Sequence, residues 1–270
     1  MNPIPISSRD NQHLKLARKV RDVDRSEMIF VEGSRLVEEA VRSDLEIAEV
    51  FIAESAVSAP RGSDLVKTLE DRGIPVFALS EKLFASISDT KGPQGIALLC
   101  RRPETTFQKF AATPQKVGDL PIYIYLNEVN NPSNLGAITR TAEAAGASGI
   151  LVSDRSSDIF SPKALRAAMG STFRTKIWAN ATFDEAARWA KTECLLLTAA
   201  DAHAGTAYTE VDWTRPLLLI FGSEGHGLSG DVLAAIEEPV SIPMKGGVES
   251  LNLAVSSGIL LFEAVRQNAR

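Results

Sequence analysis

The chain is poor in the residue types that most often carry redox, metal or nucleophilic chemistry. Two of its 270 residues are cysteine and three are histidine. Cys100 and Cys194 each border an apolar run. That placement reads as two buried thiols in a reducing cytoplasm and excludes a disulfide-stapled scaffold. His13, His203 and His226 show no metal-ligand or triad spacing, so each reads as structural and no metal site is expected. The longest apolar runs, such as 194–197 and 217–221, are strand-sized and fall far short of the ~20 residues that cross a bilayer. Residues 1–10 have no apolar stretch and carry an early acid, which argues against a signal peptide. Neither a GxxxxGK[ST] phosphate loop nor a GxSxG nucleophile elbow occurs. Positive charge is not in excess: 29 Lys and Arg face 34 Asp and Glu, a net charge of −5. That balance argues mildly against nucleic acid, because phosphate binding rests on clustered cations.

Distribution matters more than the total. Residues 1–25 hold Arg9, Lys15, Arg18, Lys19, Arg21 and Arg25 against three aspartates, and a second basic stretch holds Arg155, Lys163, Arg166, Arg174 and Lys176. Such stretches are ordinarily solvated faces, so charge alone decides nothing. With 44% hydrophobic and 23% charged residues, the chain is ordinary for a globular protein and long enough for two cores.

Periodicity and caps give alternating strands and helices throughout. Strands are expected at 28–31, 50–53, 76–79 and 95–100, with helices opened by Ser34, running over 63–72, and capped by Ser80. They make a compact α/β module over residues 1–102. Residues 103–120, with Pro103, Pro114 and Gly118, read as a linker. The second module, 121–270, has strands at 122–129, 150–152, 194–198, 217–221 and 240–243. Its helices are expected at 134–145, after the Ser161–Pro162 start, at 182–191 and at 250–267. This alternation implies mainly parallel sheets covered by helices on both faces. In the last helix Leu251, Ala254, Val255, Gly258, Ile259, Phe262 and Val265 form one stripe, while Leu253, Leu260, Leu261 and Ala264 lie off it. One side can cover the sheet. The other needs a partner, either within the subunit or in a second copy of the chain.

Three segments lie where a strand gives way to a helix or loop, the place where open parallel sheets bind ligands. In the first, Pro132 stiffens a turn, Asn134 is placed as a helix cap, Gly136 permits close approach, and Arg140 offers a guanidinium for a phosphate. An ordinary cap with a surface arginine is the competing reading. In the second, the run 217–221 opens into a loop with Gly222, Glu224, Gly225, His226, Gly227 and Gly230, suggesting backbone pressed against a ligand. Residues 225–230 formally match the dinucleotide fingerprint, but late in the chain and some residues past the strand, so nicotinamide binding is disfavoured. In the third, Ile242 and Met244 lead through a Gly246–Gly247 turn to Ser250, placed as a cap, and to Asn252, one turn into an apolar helix. A buried amide there needs partners.

In this order, NNPSNLGAITRTAEAAG (130–146), LLLIFGSEGHGLS (217–229) and SIPMKGGVESLNLAVSSGILLFE (241–263) resemble the three motifs of the SpoU group of RNA ribose methyltransferases in the SPOUT superfamily. The first half resembles that family's ribosomal-protein-L30e-like substrate-binding domain, notably in FVEGSRLVEEAV and GPQGIALLC. The leader SSRDNQHLKLARKVRD is similar to the RNA-facing N-terminus of members acting on ribosomal RNA. Asn131 departs from the pattern, since many members carry Asp before the proline. The resemblance implies a C-terminal parallel-sheet SPOUT domain with a trefoil knot, which general topology rules would not suggest. It also implies a small N-terminal α/β domain and a cytoplasmic homodimer. Backbone at Gly222, Ile242 and Leu251, with Gly227 and Met244 nearby, would hold S-adenosylmethionine. Asn134, Arg140, Glu224, Ser250 and Asn252 match catalytic or substrate-facing positions. The implied reaction is 2′-O-methylation of RNA, ribosomal in preference to transfer RNA. A non-catalytic RNA-binding module and an NAD-dependent oxidoreductase are the readings from other classes.

Overall fold

The computed structural model describes residues 3–23, 25–57, 60–114 and 120–269. Contacts divide the chain into two units, Met1–Pro103 with Phe160–Phe173, and Glu104–Ile159 with Arg174–Arg270.

The first unit opens with elements that the sequence reading passed over as a basic leader. β1 (Ile4–Ile6) pairs with a later strand, and α1 (Gln12–Asp22) buries Leu14, Ala17 and Val20. Asn11 caps α1 by accepting the His13 amide at 2.9 Å. There follow β2 (Met28–Glu32), α2 (Ser34–Arg42), β3 (Ile47–Ala53), α3 (Glu54–Val57), α4 (Pro60–Asp71), β4 (Val76–Leu79), α5 (Glu81–Ile87) and β5 (Ile96–Arg101). The sheet order is β1-β4-β3-β5-β2. It is mixed and not mainly parallel: β5 runs antiparallel to both β2 and β3. A strand buried on both faces has the same apolar run in either direction, so periodicity is blind to this.

In the second unit α6 (Phe107–Ala112) is capped by Thr106 and lies within the proline-bearing stretch 103–120. Residues 115–119, including Gly118, lie outside the described residues. Phe110 is buried and meets Trp189 edge-on at 5.3 Å. A side chain at Gly149 would come within 2.9 Å of the Phe110 ring, so glycine there makes room for the helix. β6 (Leu120–Leu126), α7 (Pro132–Ala145) and β7 (Ala147–Val152) follow. The next helix, α8 (Pro162–Ala168), is capped by Ser161 with proline at its start, as expected, and belongs to the stretch that clusters with the first unit. Then come β8 (Ile177–Ala179), α9 (Phe183–Thr192), β9 (Leu196–Ala200), β10 (Thr206–Ala207), β11 (Leu217–Phe221), α10 (Gly230–Ala234), β12 (Glu238–Ser241) and α11 (Leu253–Asn268). The order β10-β12-β9-β11-β6-β7-β8 is parallel at every pairing. β11 is buried along its whole length, as a strand covered on both faces must be.

One expectation about burial needs correcting. Cys100 is buried, and burial pushes its thiol up to about 12. Cys194 is exposed, because it occupies the turn after α9 with a left-handed φ of 55° and β9 starts two residues later. In α11 it is Leu260, Leu261 and Ala264 that are buried, while Val255 and Phe262 of the longer stripe are each 51% exposed. α11 runs along α7, where a Cβ at Gly258 would make an ordinary 3.8 Å contact with the Thr141 methyl. No described helix is long and apolar enough to cross a membrane.

Candidate active site

A cavity of about 650 Å³ opens in the second unit beyond the carboxyl ends of β9, β11 and β12. Its size lies within the ~300–1,000 Å³ typical of small-molecule sites. Its wall is made by Ala200–His203 after β9, Phe221–Leu228 after β11, Ile242 and Met244 after β12, and Glu249–Leu253 entering α11. The residues carried over as cofactor-holding, Gly222, Gly227, Ile242, Met244 and Leu251, all line it. So do Glu224, Ser250 and Asn252.

The loop after β11 doubles back. Ser223 and Gly227 exchange two backbone hydrogen bonds of 3.0 Å each, and Gly227 takes a left-handed φ of 65°. At Gly222 a Cβ would lie 2.3 Å from the Gly227 carbonyl carbon and 2.4 Å from its oxygen. No side chain fits. This reversal differs from the tight turn of a dinucleotide fingerprint, and Ser229 then caps only the five-residue α10. Among the described residues the backbone groups of Gly222, Ile242 and Leu251 have no hydrogen-bond partner in the chain. Polar backbone groups left unpaired along a concave wall fit a ligand rich in amine, carboxylate, hydroxyl and purine groups. Ile242, Met244, Leu228, Leu233 and Val240 supply the apolar part. The wall therefore suits S-adenosylmethionine.

Beside the cavity a chain of polar side chains ties the three segments together. Asn131, and not Asn134, caps α7: its side-chain oxygen accepts the Ser133 amide at 3.0 Å, with Pro132 first in the helix. The same bond is open to an aspartate, so the departure from the family pattern costs the turn nothing. Asn134 lies in the first turn, 7% exposed. Its amide nitrogen donates to Glu224 Oε1 at 2.9 Å, and its oxygen accepts from Asn252 Nδ2 at 3.2 Å. Asn252 is itself the cap of α11, its oxygen accepting the Ala254 and Val255 amides. It is exposed, and Ser250 lies two residues before the cap, also exposed. The expected roles of Ser250 as cap and Asn252 as a buried amide are thus corrected. Asn252 wins because its side chain reaches two amides of the first turn.

Glu224 also accepts the backbone amides of Asn130 and Asn131 at 3.2 Å each. Burial pushes its carboxyl up, but the bonds from Asn134, from its own amide and from Asn130 and Asn131 outweigh that, and it sits below the usual carboxylate range. It is therefore a charged acceptor near neutral pH.

Arg140 projects from α7 into solvent and is absent from the cavity wall. Among the described residues it has no hydrogen bond or ion pair. Glu143, the sole acid of α7 and one turn on, is instead gripped by Arg174 in a two-pronged pair of 2.6 and 3.0 Å. Sequence reasoning missed that grip, and it missed the post-β9 wall formed by Asp201 and His203. Asp201 turns the chain there by accepting the His203 amide at 2.9 Å. Its position just past a buried strand was the available signal.

The SpoU rRNA Methylase family matches residues 121–262, and a domain described as RNA 2′-O ribose methyltransferase substrate binding matches residues 30–106. A Bacillus subtilis protein named 23S rRNA (guanosine(2553)-2′-O)-methyltransferase RlmP is 31% identical over 95% of this chain and 97% of its own length. An S-adenosylmethionine-bound rRNA methyltransferase from Sinorhizobium meliloti superposes with a TM-score of 0.83 at 29% identity, covering 97% of each chain. A structure described as an RNA 2′-O ribose methyltransferase gives 0.82 at 30% identity, covering 99% of this chain and all of that one. The parallel sheet agrees with those solved structures, and the chain belongs to the SpoU rRNA methylase family.

Proposed function

We propose that the chain methylates a ribose 2′-hydroxyl of ribosomal RNA with S-adenosylmethionine, as a homodimer in the cytoplasm. The observation that carries this reading is the set of unpaired backbone groups at Gly222, Ile242 and Leu251 lining a cavity beside the Glu224–Asn134–Asn252 chain. In this reading residues 1–102 bind the RNA, 103–120 link, and 121–270 catalyse, with a trefoil knot formed around the second and third motifs. The exposed Val255 and Phe262 support a second copy covering α11. The named relatives support ribosomal over transfer RNA.

S-adenosylmethionine supplies an electrophilic methyl group on a sulfonium. The chain's own part is orientation and charge. Glu224, held ionised, fixes the Asn134 amide from one side while Asn252 fixes it from the other, so its donor and acceptor faces cannot exchange. The unpaired Arg140 clamps an RNA phosphate and stabilises the negative charge that builds on the 2′-oxygen as its proton leaves to solvent. An arginine is too weak an acid to be an ordinary base, so that electrostatic role is the one assigned. Arg140→Ala should abolish methyl transfer while sparing cofactor affinity.

The reading is tested by calorimetric titration with S-adenosylmethionine and with NAD, followed by mapping of 2′-O-methyl groups in ribosomal and transfer RNA with and without the gene. Binding of NAD alone would replace it with an oxidoreductase. Cofactor binding with no change in either RNA would also refute it, and a change confined to transfer RNA would move the substrate.

A further inference from the structure

The turn that joins β6 to α7 is held by a group of serines outside the three motifs. After β6 ends, Glu128 adopts a left-handed φ of 57°, unusual for a residue with a side chain. Two buried hydroxyls keep it there. Ser153, 3% exposed, accepts the Glu128 amide at 2.8 Å, and Ser156, 5% exposed, accepts the Val129 amide at 3.0 Å. The two hydroxyls bond each other at 2.9 Å, and Ser156 donates onward to the Leu126 carbonyl at 3.2 Å. With Ser153 donating to Ser156, both hydroxyl protons are used. Ser157 completes the clasp: its amide donates to the Val129 carbonyl at 3.0 Å and its hydroxyl to the Asn130 carbonyl. The next two amides of the turn, Asn130 and Asn131, are those that meet Glu224.

We infer that Ser153, Ser156 and Ser157 are positioning residues for methyl transfer, locking the 128–130 turn so that the following amides hold the Glu224 carboxylate. The inference rests on the reading of Glu224 and Asn134 as part of the transfer site. None of the three serines lines the cavity, and their effect passes through Glu224. Loosening the turn withdraws two of the hydrogen bonds that keep this carboxyl below its usual range, so its pKa rises toward the ordinary value.

The test compares Ser156→Ala, Ser157→Ala and Ser156→Thr with the unaltered protein. Readouts are tritiated methyl transfer to an unmodified ribosomal RNA transcript across pH, calorimetric affinity for S-adenosylmethionine, and melting temperature. For Ser156→Ala the expectation is a roughly tenfold fall in kcat, about 1.4 kcal/mol of barrier. Cofactor affinity should stay within about threefold, and the acid limb of the pH profile should move to higher pH. Ser156→Thr, which keeps the hydroxyl, restores both. A merely structural serine would lower melting temperature and active fraction and leave the acid limb in place, and that result overturns the inference. Should Ser156→Ala fail to fold, Ser157→Ala, which removes a single bond at a half-buried position, is judged by the same limb. Full activity in Glu224→Gln would overturn the reading of the site itself. An inactive Glu224→Gln beside unaltered serine variants overturns only the clasp.

Discussion

Adding one methyl group at Gly222 tests whether the β11 loop forms the cofactor cradle. In Gly222→Ala the new Cβ would lie 2.3 Å from the Gly227 carbonyl carbon, 2.4 Å from its oxygen and 2.7 Å from the Leu228 nitrogen. All three are backbone atoms, so no rotamer change relieves the clash. Ordinary contact needs roughly 3.5–4.0 Å, and the returning arm of the loop must therefore retreat by about 1 Å or more. That retreat opens the two Ser223–Gly227 hydrogen bonds. Overpacking costs about 1–3 kcal/mol, and a loop that binding must re-form charges that cost to affinity. A loss of about 2–3 kcal/mol weakens S-adenosylmethionine binding by roughly 30- to 150-fold. The control is Gly225→Ala in the same loop, where a Cβ meets nothing within 4 Å. It should bind within about twofold of the original chain. Calorimetric titration of both variants, with melting curves to establish folding, gives the answer. A folded Gly222→Ala that binds like the original chain refutes the cradle.

Three further outcomes follow from other parts of the fold. Arg174→Gln releases Glu143 to pair with Arg140 one turn away, a contact worth about 0.2–0.5 kcal/mol. Methyl transfer should fall about twofold and recover when Glu143→Gln is added, whereas a fall without recovery would show that Arg174 acts by another route. Phe262→Glu places a charge on the exposed face of α11 and should convert a dimer to monomers in analytical ultracentrifugation. Unchanged sedimentation would mean that this face is not the subunit interface. Glu263 is held at about 2 by its hydrogen bond to Arg266, with Gln267 assisting. Its stabilising effect is complete above its ordinary value of 4.5 and is lost as pH falls from there toward 2. Arg266→Ala should therefore melt lower at neutral pH, with the gap closing through that window, and a gap constant down to pH 2 would contradict the assignment.

Much of this protein was legible from local pattern, because local pattern follows from backbone geometry. Apolar runs of strand length, serine and threonine caps, and glycine stops located most elements of both units to within a few residues. The Ser161–Pro162 start and the Gly146 stop follow from single-residue preferences and stand as expected. The three site segments were visible because the loops at their strand ends are rich in glycine and asparagine, which tight backbone against a ligand demands.

What folding in three dimensions decided was which distant groups meet. Asn134 bonds Glu224 across 90 residues and Asn252 across 118, and these bonds turn an apparent helix cap into the link between three distant segments. No local preference contains that information, because it depends on β11 lying beside β6 and on α11 returning along α7. The antiparallel direction of β5, the side of α11 left to solvent and the exposure of Cys194 were settled in the same way. Periodicity records which faces of an element avoid water, whereas strand order and packing determine what each face is set against.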